Sequence, residues 1–103
     1  MNAEQKVALV TGASRGIGRA ITLALGEQNL IVIGTATTAE GAGNISSYLR
    51  EAGIKGQGIQ VDVSSDESVA ACFDTIEERY RSPAVLVNNA GVTRDNLLLR
   101  MKP

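Results

Sequence analysis

The stretch Lys6-Val7-Ala8-Leu9-Val10-Thr11-Gly12-Ala13-Ser14-Arg15-Gly16-Ile17-Gly18 decides the architecture of this chain. Its opening five residues are a short apolar run, the pattern of a strand covered on both faces. Gly12, Gly16 and Gly18 follow at the spacing G-x-x-x-G-x-G. From Gly16 onward Ile17, Ala20, Ile21, Ala24 and Leu25 recur at helical spacing, and that helix is expected to end near Gln28-Asn29. A strand, a glycine turn and a helix in immediate succession aim unpaired backbone N–H groups and a positive helix end at one point. Such a point receives an anion.

The same rhythm continues outward. Residues 30–34 (Leu-Ile-Val-Ile-Gly) read as a second buried strand, and residues 39–52 place Ile45, Tyr48, Leu49 and Ala52 at helical spacing with Gly53 as the stop. Gly41 and Gly43 in the first turns of that helix argue for a late start. Residues 58–63 are expected as a third strand. Ser64-Ser65-Asp66-Glu67-Ser68 then supplies N-cap candidates for a helix running to about Tyr80. Val85-Leu86-Val87 reads as a fourth strand leading into Asn88-Asn89-Ala90-Gly91, followed by a loop with one helical turn over 97–101. The order β-α-β-α-β-α-β with short connections predicts the α/β class: a Rossmann-type, doubly wound parallel sheet ending after its fourth strand.

With 103 residues, 44% hydrophobic and 20% charged, the chain has the make-up of one ordinary globular domain. A net charge of -1 with scattered Lys and Arg argues against nucleic acid or an anionic membrane surface as partner. No apolar stretch approaches the ~20 residues of a membrane helix. The first apolar run is too short for a signal peptide, so a cytoplasmic setting is expected. One cysteine and no histidine leave neither an internal disulfide nor a metal-ligand set. Cys72 falls in step with Val69, Phe73, Ile76 and Tyr80, which reads as a buried thiol on a helix face.

The glycine spacing fails the P-loop pattern and differs from the commoner G-x-G-x-x-G, yet the strand before it and the helix after it are those of a dinucleotide site. Gly12 suits a tight turn, Gly16 a loop held close to a pyrophosphate, and Gly18 a helix packed against the first strand. Ser14 adds a hydroxyl for a phosphate or ribose oxygen. NAD-preferring sites commonly end the second strand on an acid that accepts from the ribose 2′-OH. Here Gly34-Thr35-Ala36-Thr37-Thr38 contains none. Hydroxyls, with Arg15 as the candidate guanidinium, suit a 2′-phosphate, so NADP(H) is the expected cofactor. The plain alternative for Arg15 is a solvated surface side chain.

Thr11 to Gly18 (T-G-A-S-R-G-I-G), Asp62-Val63 and Asn88-Asn89-Ala90-Gly91, in that order, resemble the short-chain dehydrogenase/reductase family. Asn88 to Met101 and Gly34 to Thr37 resemble its bacterial 3-oxoacyl-[acyl-carrier-protein] reductases in particular. The resemblance covers essentially the whole chain. It implies that Gly12, Ala13, Ser14 and Arg15 contact the cofactor phosphates within the turn that Gly16, Ile17 and Gly18 complete, and that Thr37 lies near the 2′-phosphate. It further implies that Asp62 accepts from the adenine amino group with Val63 beside the ring, and that Asn89, Ala90 and Gly91 line the adenosine-ribose and nicotinamide side. Read from the residues alone, Asp62 is equally a turn or cap carboxylate, and Asn88 and Asn89 are equally structural amides tying neighbouring strands together.

Members of the family carry a catalytic Ser and a Tyr-x-x-x-Lys pair after the fourth strand, where the Lys lowers the Tyr pKa for proton delivery to a carbonyl oxygen. Here the fourth residues after Tyr48 and Tyr80 are Ala52 and Ala84, so neither tyrosine is a catalytic candidate; both read as core or rim. The resemblance therefore implies the N-terminal NADP(H)-binding portion, residues 1–103, of a longer reductase. That parent is expected to be homotetrameric and to reduce an acyl-carrier-protein-bound β-ketoacyl substrate in fatty acid biosynthesis. The 103-residue chain alone is expected to be inactive and prone to self-association. Two other readings are a different short-chain carbonyl or alcohol reductase, and a non-catalytic NADP(H)-binding module.

Overall fold

The computed structural model describes residues 5–89, 100 and 101. Ala90, Gly91 and most of the helical turn expected over 97–101 lie outside the described residues. The elements run β1 (Val7–Val10), α1 (Gly16–Glu27), β2 (Ile31–Ala36), α2 (Ala39–Glu51), β3 (Gly56–Gln60), α3 (Asp66–Arg79) and β4 (Val85–Val87). All pairings are parallel, in the order β3-β2-β1-β4. This is the Rossmann-like α/β sheet that the alternation predicts.

The two-residue period of the strands explains the layers. Val7, Leu9, Ile31 and Ile33 face one side, where α3 brings Val69, Cys72, Phe73 and Ile76. Val10 and Val32 face the other, where α2 brings Ile45, Tyr48 and Leu49 and α1 adds Ile21 and Leu25. β1 and β2 are buried along their whole length, while β3 and β4 at the edges are half-buried. Each fully buried Val, Leu or Ile contributes about 1.5–3 kcal/mol, so the central strands carry the core. Cys72 is buried as expected, and burial pushes its thiol up from 9.0 to about 11, which keeps it neutral and unreactive.

Three elements depart from expectation at their boundaries. β2 runs two residues further, through Thr35 and Ala36, because β3 pairs with it there and covers both. β3 begins at Gly56 rather than Gly58 and ends at Gln60 rather than Val63. Its pairing opens with Gly56 opposite Val32, where a Cβ would lie 1.8 Å from the Val32 carbonyl oxygen; after Val61 donates to Ala36 the chain leaves the sheet. α2 starts at Ala39 despite its glycines, because Thr38 caps it: the Thr38 hydroxyl accepts from the Gly41 N–H at 2.9 Å.

The face that α1 buries is also narrower than its apolar spacing suggests. Gly18 and Thr22 are fully buried, whereas Ile17, Ala20 and Ala24 are exposed, Ile17 by 73%. The helix buries Gly18 and Thr22 most deeply, and the Thr22 hydroxyl satisfies itself on the Gly18 carbonyl at 2.8 Å. Close approach, rather than apolar bulk, seats its first turn.

Candidate functional site

The turn between β1 and α1 lies at the C-terminal edge of the sheet, where open α/β sheets bind ligands. Gly12 and Gly16 both take φ of 64°, a left-handed conformation that glycine adopts without steric cost. Gly18 answers a different need: a Cβ there would stand 2.0 Å from the Gly12 carbonyl oxygen and 2.6 Å from the Asn89 amide nitrogen. The turn thus folds back onto its own helix. Gly34 makes room in the same way for Ala13, whose Cβ would be 2.7 Å from a side chain at that position.

The fixed points of the turn come from β4 and the residues after it, from β2 and from α2. The Thr11 N–H donates to Val87 at 3.0 Å, and the Ala13 N–H donates to Thr35 at 2.9 Å. The Thr11 hydroxyl donates to Asn88 Oδ1 at 3.2 Å and accepts from the Asn89 N–H at 2.9 Å. Asn89 Nδ2 donates to the Gly12 carbonyl at 3.1 Å, and the Tyr48 hydroxyl donates to the Ala13 carbonyl at 2.6 Å. Asn88 and Asn89 therefore act as structural amides tying β4 to β1.

The first turn of α1 is left open. Its N-cap is Arg15, which makes no side-chain cap bond, and the turn contains no acidic residue. The other two helices are capped by Thr38 and Ser65, with acids in their first turns. Among the described residues, α1 alone presents an uncapped positive end, the arrangement that accepts a phosphate.

Beside it opens a cavity of about 400 Å³, lined by Ser14 and Arg15 of the turn, Thr37 and Thr38 after β2, and Glu40 and Asn44 of α2. The structure so brings together Ser14, Arg15 and Thr37 as expected. Glu40, two residues beyond the acid-free stretch 34–38, joins them. The first turn of α2 carries its carboxylate into the same cavity. A second cavity, of about 420 Å³, lies at the opposite, N-terminal end of the sheet between Arg50, Lys55 and Tyr80, away from every expected site residue.

Asp62 follows β3 at the same edge as the turn. Its Oδ1 accepts from the Ser64 hydroxyl at 2.6 Å and from the Ser64 N–H at 3.0 Å, and these bonds hold the exposed carboxyl below the usual range. The turn-carboxylate role is thus present in the structure. Val63 packs half-buried against the α3 side of the core. Tyr48, read from the sequence as core or rim, is core, but its hydroxyl bond to the turn is new. Tyr80 is half-buried and donates to Gln57 Oε1 at 3.2 Å.

The family model for short chain dehydrogenase matches residues 6–103. The chain belongs to the short-chain dehydrogenase family. The chain is similar to the 3-oxoacyl-[acyl-carrier-protein] reductases FabG of Pseudomonas aeruginosa (58% identical over 102 residues), Vibrio harveyi (55% over 102) and Escherichia coli (51% over 102). Each match covers 99% of this chain and 41% of the relative, so the chain spans well under half the length of the reductases it resembles. Among the described residues no helix is long and apolar enough to cross a membrane, and no group of acidic, Cys or His side chains could hold a metal.

Proposed function

We propose that residues 1–103 form the N-terminal NADP(H)-binding portion of a single reductase domain, and that the full-length protein reduces 3-oxoacyl-[acyl-carrier-protein] to the 3-hydroxyacyl form in the cytoplasm. The observation that carries the cofactor reading is the uncapped α1 end, set on a turn whose Gly12 and Ala13 carbonyls are already bonded. Those residues fit a dinucleotide. The N–H groups from Ser14 to Gly18 would receive the pyrophosphate, with exposed Ile17 at the mouth. Arg15, Ser14 and Thr37 would hold the 2′-phosphate in the adjoining cavity. Asp62, with Oδ1 engaged by Ser64, would offer its other oxygen to the adenine amino group, with Val63 beside the ring. Asn89, Ala90 and Gly91 would border the ribose and nicotinamide.

NADPH when bound supplies the hydride for the β-carbonyl carbon. The proton for the carbonyl oxygen must come from a Ser and Tyr-x-x-x-Lys set, which this chain does not contain. The carrier-protein substrate rests on the similarity to the FabG reductases.

The test is NADPH consumption by the full-length protein with a β-ketoacyl thioester of acyl carrier protein. Turnover there, and little with a simple ketone, is the expected result. Turnover of the simple ketone alone would favour a general carbonyl reductase, and cofactor binding with no turnover of either would favour a binding module.

A further inference from the structure

Among the turn residues, Ala13 is held at both backbone groups by distant elements. Its N–H donates to Thr35 of β2 and its carbonyl accepts from the Tyr48 hydroxyl of α2. Ala13 is fully buried, and Tyr48 is buried beside it with Ile45 and Leu49. The peptides here are trans, so each C=O points opposite to the N–H of the next residue. Asn89 draws the Gly12 carbonyl one way, and the Ala13 N–H accordingly points the other way, to Thr35. One peptide later, Tyr48 draws the Ala13 carbonyl into the core, and the Ser14 N–H must point out of it. Ser14 is where the cavity beside α1 begins.

We propose that Tyr48 is the positioning residue of the cofactor turn: its hydroxyl, fixed on the Ala13 carbonyl, aims the Ser14 N–H at the pyrophosphate. This rests on the cofactor reading above. Two further contacts hold the phenol for the task. The Arg19 guanidinium lies 4.9 Å above its ring, and the α2 core packs around it. Burial raises the phenol above its ordinary 10.0, so it remains a donor throughout the working range. Without the hydroxyl, the Ala13 carbonyl becomes a buried acceptor with nothing to receive, and the peptide rotates to find water. That rotation turns the Ser14 N–H away from the phosphate.

Tyr48→Phe in the full-length protein keeps the ring, the Arg19 contact and the core volume. It is expected to weaken NADPH and NADH alike by about 3- to 10-fold, the value of one buried hydrogen bond. KM for the cofactor rises by that factor while kcat at saturation is unchanged, and the Ala13 amide, bonded to Thr35, exchanges with solvent faster. Tyr80→Phe removes a half-buried phenolic bond, to a Gln57 oxygen that keeps Arg79 as donor, and serves as the control for losing a tyrosine hydroxyl away from the turn: cofactor affinity is expected to be unchanged. Parental affinity in Tyr48→Phe, or a loss confined to kcat, overturns the proposal. Should the unsubstituted protein bind neither nucleotide, the cofactor reading fails by itself. Amide exchange then decides the clamp, with unchanged protection at Ala13 in Tyr48→Phe counting against it.

Discussion

Arg15 and Glu40 place opposite charges on one cavity, and cofactor preference follows from their difference. A guanidinium beside a 2′-phosphate makes charge-assisted hydrogen bonds, while a carboxylate on the far wall repels it. Arg15→Ala in the full-length protein is therefore expected to weaken NADPH roughly 10- to 100-fold and NADH little. Glu40→Gln should do the reverse, tightening NADPH by about 2- to 5-fold, since both groups are exposed and screened. Equilibrium titration of each variant with both nucleotides measures this; parallel losses in Arg15→Ala would exclude a 2′-phosphate at that side chain. Ser14 and Arg15 were legible because they sit inside the glycine turn, and Thr37 because it directly follows β2. Glu40 was not, because it lies in the first turn of α2, where an acid also reads as an ordinary helix N-terminal residue.

At the scale of the element, α1 combines a missing cap with a missing side chain. Thr38 and Ser65 close the N-termini of α2 and α3, whereas α1 leaves its first N–H groups open and brings its backbone against Gly12 instead. Gly18→Ala places a methyl against backbone that cannot step aside. It is expected to destabilise the protein by about 1–3 kcal/mol and to abolish tight cofactor binding. Gly16→Ala meets no atom within 4 Å but must hold a φ of 64°, so it should cost only about 1–2 kcal/mol. Denaturant melts of the two variants alongside NADPH titration distinguish these effects: Gly18→Ala with parental affinity would show that close packing is not what shapes the turn. The glycine spacing announced all three glycines. It did not say which one serves conformation and which one serves contact.

In the whole molecule, β4 pairs with β1 along one side, and Val85, Leu86 and Val87 remain half-buried. Among the described residues no strand covers its other edge. Polypeptide 1–103 expressed alone is accordingly expected to self-associate and to lack reductase activity. Sedimentation of a monodisperse monomer with NADPH turnover would refute this. The alternation of strands and helices, the position of the cofactor turn and the family itself were set by the sequence alone. Two-residue and helical periods and the glycine spacing are local signals that survive without a neighbour. Tertiary structure decided how the polar groups are used. Asn89 reaches a carbonyl 77 residues away, Tyr48 one 35 residues away, and Asp62 turns back on Ser64. A side chain carries the same donors and acceptors wherever it lies, so only packing determines whether they meet a ligand or hold in place the backbone that does.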